Sequence, residues 1–159
     1  EVCFVPNDDY KAFLEVNLGK QKSGDICLKD GTVLGRHNGL FNYTIGQRKG
    51  LNISYKEPLY VVEIDSVNNK VIVGSNDDLF HNDLIAKDVN LLVDSFPDEV
   101  YAKVRSRGIL KKVSVEFIGN DKVKVHFTEA ERAITKGQSV VFYDKDNVCL
   151  GGGIIEEVL

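Results

Sequence analysis

The segments V-Y-A-K-V-R at 100–105, V-S-V-E-F at 113–117 and V-K-V-H-F at 123–127 decide the fold class, because each carries an apolar residue at every second position. Successive side chains of a strand point to opposite faces, so Val100, Ala102 and Val104 predict a buried face and Tyr101, Lys103 and Arg105 a solvated one. Val113, Val115 and Phe117, then Val123, Val125 and Phe127, repeat the pattern. Residues 138–143 and 148–155 read as two more strands, with Gly119-Asn120 and Lys145-Asp146-Asn147 as turns. Short strands at this spacing predict a small closed or nearly closed β-barrel.

Upstream of that barrel the punctuation changes. Ile26 and Leu28 alternate before Asp30-Gly31, and residues 32–35 complete a hairpin with a tight turn. Residues 59–65 and 70–74 are strand-like and pair through Asn68-Asn69; residues 77–80 read as one helical turn, and 84–92 as a strand leading into the last third. At the start, Asn7 or Asp8 can cap a helix whose apolar positions Tyr10, Phe13 and Leu14 run on to Leu18 before Gly19 stops it. A helix over 8–18 is too short to stand alone and is expected to dock on something. The expected architecture is mainly β: a tail at 1–18 with the helix, a central β domain at 19–88, and a C-terminal barrel at 89–159.

Composition bounds the function. The chain has 159 residues, 28% charged and 43% hydrophobic, with a formal net charge of -4. That length can bury roughly 70% of the unfolded surface, enough for one domain or two small ones. No apolar run reaches the roughly 18 residues of a membrane span and no secretory signal opens the chain, so a cytoplasmic setting and no membrane partner are expected. The three cysteines, Cys3, Cys27 and Cys149, form no C-x-x-C pair; neither a disulfide framework nor a zinc site is indicated. Cys27 and Cys149 read as small core residues. His37, His81 and His126 lack an i,i+4 partner, and none reads as a metal ligand. Gly151, Gly152 and Gly153 lack the helix, Lys and Ser/Thr that a phosphate-binding loop requires, and fit a barrel corner or bulge. The chain has no methionine and begins at Glu1, which reads as an excised piece of a longer protein.

Two local charge patterns oppose the acidic balance. Between Gly31 and Lys56 there is no Asp or Glu, while Arg36, Arg48, Lys49 and Lys56 are basic. Gly46 and Gly50 bracket Gln47, Arg48 and Lys49, so a backbone free to take positive φ could present three donors to an anionic partner; a solvated connection is the plain alternative. Lys103, Arg105, Arg107, Lys111 and Lys112 form a second acid-free run.

The stretch G-R-H-N-G-L-F-N-Y-T-I-G-Q-R-K-G-L-N-I at 35–53 resembles the signature of the tRNA-specific 2-thiouridylases, which place sulfur on the wobble uridine of tRNA. Three other segments agree, in order: V-C-F-V-P-N-D-D-Y-K-A-F-L at 2–14, A-K-V-R-S-R-G at 102–108, and G-Q-S-V-V-F-Y-D with V-C-L-G-G-G-I-I toward the end. The resemblance implies a translation-factor type of barrel. It also implies that Cys3 carries the persulfide whose outer sulfur reaches uridine; read alone, a cysteine between Val2 and Phe4 is a buried, inert residue. It further implies ATP activation of the base at a glycine-rich S-G-G-x-D-S loop, a second cysteine that forms a disulfide with the first during sulfur release, and a sulfur-donor protein as partner. Nothing in these 159 residues matches that loop or that second cysteine, so a preceding catalytic domain is expected, with no ATP held and no sulfur transferred by this chain alone.

Carried over by the same resemblance, Arg105, Ser106 and Gln138 are expected to contact tRNA, joined by Gln47, Arg48 and Lys49 of the basic loop. Arg offers phosphate a bidentate fork, and Ser and Gln give short hydrogen bonds to sugar or phosphate. Two positions depart from the family pattern: Lys136 stands where T-P-G-Q commonly has proline, and Ser106 where an aromatic residue can occur. The rival readings are a stand-alone RNA-binding barrel without chemistry and a protein-interaction domain indifferent to tRNA.

Overall fold

The computed structural model describes residues 13, 14, 16, 17, 19, 22–119 and 121–159. Within the expected helix, Phe13, Leu14, Val16 and Asn17 are helical, and the Asn17 amide donates to the Phe13 carbonyl at 2.7 Å. The expected cap at residues 7 and 8, and Cys3, lie outside the described residues. The chain divides between Asp78 and Leu79 into two units, each with its own core. Sequence reasoning drew that boundary ten residues later, at 88/89. The strand expected at 84–92, which straddled that boundary, belongs wholly to the barrel as its longest strand, Phe80–Leu91.

The first unit is a four-stranded sheet of β1 (Gly24–Leu28), β2 (Val33–His37), β3 (Tyr60–Asp65) and β4 (Lys70–Gly74), in the order β2-β1-β4-β3. Both expected hairpins form. At the first, Gly31 takes φ 89° and the Asp30 carboxylate accepts the Thr32 N–H at 2.9 Å; at the second, Asn69 takes φ 54° and Asp65 accepts the N–H groups of Val67 and Asn68. Short polar side chains stabilise such turns by bonding their own backbone. The parallel pairing of β1 with β4 joins the hairpins. Where they meet, Gly24 has no room for a side chain: a Cβ there would lie 2.0 Å from the Asn69 carbonyl and 2.5 Å from the His37 ring.

His37 is the one buried polar side chain among the described residues. Gly39 N–H donates to its Nδ1 at 3.1 Å, which leaves Nε2 to donate to the Asn69 carbonyl, also at 3.1 Å. This histidine ties β2 to the β3–β4 turn and serves the fold.

Asp78 closes the unit. Its carboxylate accepts from the Lys29 ammonium and from the Ser75 N–H and hydroxyl, at 2.7 and 2.8 Å for the serine. The bond from Lys29 first, then that from Ser75, hold it below the usual carboxylate range. A depressed folded value means stabilisation that is present above the ordinary value of about 4 and disappears as pH falls through the folded value. Asp78→Asn is therefore expected to lower the unfolding midpoint at neutral pH, with the difference from the native chain closing as the pH drops below about 4. Denaturant titrations across that range check it; a difference that persists unchanged in acid excludes the charge as the cause.

The second unit is a closed barrel of β5 (Phe80–Leu91), β6 (Val100–Lys103), β7 (Lys111–Phe117), β8 (Val123–Arg132), β9 (Ser139–Tyr143) and β10 (Cys149–Val158), in the order β10-β5-β8-β7-β6-β9 and back to β10. Closure removes every unpaired edge. The alternation predicted the core: Val100, Ala102, Val104, Val113, Val123, Val125 and Phe127 are all buried. Phe117 departs from it, at 51% exposed, because it stacks on Phe96 at the barrel end with ring centroids 5.9 Å apart. Cys27 is buried as expected, but Cys149 is exposed, since β10 turns Leu150 inward at the next position.

The three glycines are where β10 is squeezed between its neighbours. A Cβ at Gly151, Gly152 or Gly153 would come within 2.4, 2.7 and 2.9 Å of the carbonyls of Asn90, Val140 and Lys87. The ladder shifts register on both sides of the run, as a bulged barrel corner requires.

Candidate nucleic-acid interface

The turn that follows β6 builds the barrel's cleft. The strand ends at Lys103, so Arg105 and Ser106 sit in a bend and not in the strand where sequence reasoning put them. Gly108 N–H returns to the Arg105 carbonyl at 3.0 Å and closes the bend. Gln138 stands just before β9 on the other side: its carbonyl accepts the Ile155 N–H at 2.8 Å, which fixes its backbone, and its side chain is exposed. Lys103, Arg105, Ser106, Gln138 and Tyr143 thereby line one cleft of about 680 Å³ whose walls carry two cations and no acid.

Arg105 is held in that cleft. One guanidinium nitrogen donates to the Ala133 carbonyl at 2.6 Å, and the Thr135 hydroxyl donates to the same oxygen at 3.1 Å. Ala133 has φ 55°, and its own N–H donates to the Leu79 carbonyl at 2.7 Å. A guanidinium has five N–H donors, so this anchor orients the group and leaves others for an anion.

The five cations of the acid-free run separate into two groups. Lys111 pairs with Glu131 at 2.9 Å and Lys112 with Glu99 at 2.6 Å. The bond to Glu99 holds Lys112 above its ordinary value and Glu99 below its own. Lys103, Arg105 and Arg107 have no ion-pair partner among the described residues, and Lys103 lies 5.7 Å over the Tyr143 ring. Of these three, Lys103 and Arg105 line the cleft.

The basic loop of the first unit has a different construction. Its apolar residues Leu40, Tyr43, Ile45, Leu51 and Ile53 pack on the sheet core, so the basic stretch also supplies part of that core. Gly46 N–H bonds the Val61 carbonyl at 2.8 Å and Val61 N–H bonds the Gln47 carbonyl at 2.9 Å, which fastens the loop to β3. Gln47 works inside the loop: its side-chain oxygen accepts from Thr44 N–H at 3.0 Å and its amide donates to the Lys49 carbonyl at 2.9 Å. Gly46 and Gly50 take φ 86° and 80°, and between them Arg48 and Lys49 are left exposed. Of the three donors expected to project, two do so and the glutamine shapes the turn.

Other candidates fall into place. His126 meets the Asp83 carboxylate at 3.1 Å and His81 the Leu159 carbonyl at 3.2 Å. Among the described residues no helix is long and apolar enough to cross a membrane.

The family profile described as tRNA methyl transferase PRC-barrel domain matches residues 11–75, and that described as aminomethyltransferase beta-barrel domain matches residues 81–155. The tRNA-specific 2-thiouridylase MnmA 2 of Clostridium botulinum (strain Loch Maree / Type A3) is 47% identical over 163 residues, covering all of this chain and 46% of the relative. MnmA 2 of Clostridium tetani (strain Massachusetts / E88) is 49% identical over 160 residues, 98% of this chain and 44% of its own. MnmA of Clostridioides difficile (strain 630) is 44% identical, again over the whole chain. The chain belongs to the tRNA-specific 2-thiouridylase family.

It spans about half the length of these 2-thiouridylase relatives. The two profile matches break between residues 75 and 81, at the same place as the structural division. Sequence reasoning missed Ala133, whose carbonyl orients Arg105, and the contact of Lys103 with Tyr143. Neither left a signal in the sequence, since both depend on segments 28 and 40 residues apart meeting through the barrel closure.

Proposed function

We propose that this chain is the tRNA-gripping part of an enzyme that 2-thiolates the wobble uridine of tRNA, with Cys3 as the persulfide-bearing sulfur carrier. The observation that carries the reading is the acid-free cleft, in which Arg105, Ser106 and Gln138 converge from two separate segments. Charge sets the affinity: cations beside a phosphate release counterions, and a cleft without acids opposes nothing. Arg48 and Lys49 of the other unit add a second basic contact. A sulfur-donor protein loads Cys3.

The glycine run offers ATP no phosphate-binding loop. The one glycine run, Gly151–Gly153, lies inside β10 against the carbonyls of Asn90, Val140 and Lys87, with no helix N-terminus and no room for phosphate. No step of this chain's own is therefore routed through the nucleotide, and base activation belongs to other residues of the enzyme.

The test is tRNA binding as a function of salt. With about three phosphates contacted, log K is expected to fall with log salt at a slope of roughly -2 to -3. Arg105→Ala should weaken binding to all tRNAs alike and make the slope shallower by about one unit. Because the guanidinium also bonds Ala133, Arg105→Lys and the unfolding midpoint are measured beside it; stability lost with tRNA affinity unchanged would give Arg105 to the fold. Salt-independent binding, or none at low salt, removes the tRNA reading.

A further inference from the structure

The cleft between β6 and β9 has an aromatic wall that phosphate contacts leave unused. On β9, Val140 and Phe142 are fully buried, so Ser139, Val141 and Tyr143 face outward; on β6, Val100 and Ala102 are buried, so Tyr101 and Lys103 face outward. The antiparallel register sets Tyr101 opposite Tyr143 and Lys103 opposite Val141. The outer face thus alternates aromatic and basic groups beside Arg105. Lys103 has no carboxylate partner among the described residues, and its ammonium lies 5.7 Å from the Tyr143 ring centroid. A cation over a ring face restrains the ring as well as the cation.

We infer that Tyr143, restrained by Lys103 over one face, offers its other face as a stacking platform for one unpaired nucleotide of the tRNA, whose adjoining phosphate rests on Lys103 and Arg105. The inference deepens the tRNA reading and rests on it. Phosphate needs only donors, and a half-buried ring with Val141 beside it gains nothing from an anion. A nucleobase presents a π-face and an apolar body that match both. Duplex RNA keeps its bases stacked inside and offers this wall only backbone, so the chemistry selects an unpaired nucleotide.

The experiment measures binding of the chain to an RNA hairpin with an unpaired loop and to a blunt RNA duplex, across a salt series. Tyr143→Leu is expected to weaken hairpin binding roughly 5- to 100-fold while leaving the salt slope and the duplex affinity unchanged. Tyr143→Phe keeps the face and should bind like the native chain. Lys103→Gln, on the outward face of β6, should lower hairpin affinity and make the slope shallower by about one unit; it tests the same platform if Tyr143→Leu unfolds the barrel. Equal losses on hairpin and duplex, no loss with Tyr143→Leu, or a Tyr143→Phe as weak as Tyr143→Leu overturns the platform. Failure of the native chain to bind either RNA strikes the tRNA reading itself, and the two failures are told apart by that control.

Discussion

In the complete enzyme, Cys3→Ser is expected to reduce sulfur incorporation into the wobble uridine to background, a loss on the order of 10³-fold or more. The reason lies in the atom. A thiol with a pKa of about 8.5 forms a thiolate that accepts sulfur as a persulfide, whereas a serine hydroxyl is not ionised near neutral pH and forms no stable equivalent. The substitution is nearly isosteric, so tRNA affinity and its salt slope should not change, which separates sulfur carriage from tRNA binding. The 159-residue chain supplied with tRNA, ATP and a persulfide donor is expected to transfer nothing, because the reaction proposed above also needs an activated and positioned base. Sulfur incorporated by the full-length Cys3→Ser enzyme would remove Cys3 from the mechanism, and transfer by the chain alone would overturn the division of labour.

Phe142→Ala should be the most damaging substitution in the barrel, at a cost of about 3–5 kcal/mol. Phe142 is fully buried and meets Phe96 edge-on with ring centroids 5.3 Å apart; Phe96 in turn stacks on Phe117 at the barrel end. Removing the Phe142 ring leaves a cavity and takes away the edge contact that ties Phe96 to the core. Typical domains are stable by only about 5–15 kcal/mol, so the loss consumes much of what an isolated barrel has. Function should fail with it, since Gln138, Val141 and Tyr143 are carried by β9 and the residue just before it. The test is the denaturant midpoint of the variant alongside its tRNA affinity. Phe142→Leu, which refills most of the volume, should recover both; a Phe142→Ala barrel as stable as the native one would show that the site collapses without cost.

The alternation of Val100 to Val104, Val113 and Val123 to Phe127 was enough by itself to specify strands, their inward faces and an all-β barrel, because strand periodicity is a local property of the chain. The turns at Asp30-Gly31 and Asn68-Asn69 were legible for the same reason, as side chains there bond their own backbone. The four segments that resemble the 2-thiouridylases likewise read directly from the order of residues.

Tertiary structure decided what depends on distant segments. The parallel pairing of β1 with β4 and the entry of Phe80–Leu91 into the barrel arise from strands whose partners lie far along the chain, and periodicity does not name a partner. The same holds for the interface. Sequence put five cations in one run, but only folding placed Glu131 and Glu99 against two of them and left Lys103, Arg105 and Arg107 without an ion-pair partner among the described residues. It also turned Gln47 from an expected contact into an internal brace of its loop. Charge in a sequence counts groups; whether a group faces a partner, a carbonyl or an open cleft is settled by the long-range contacts that close the fold.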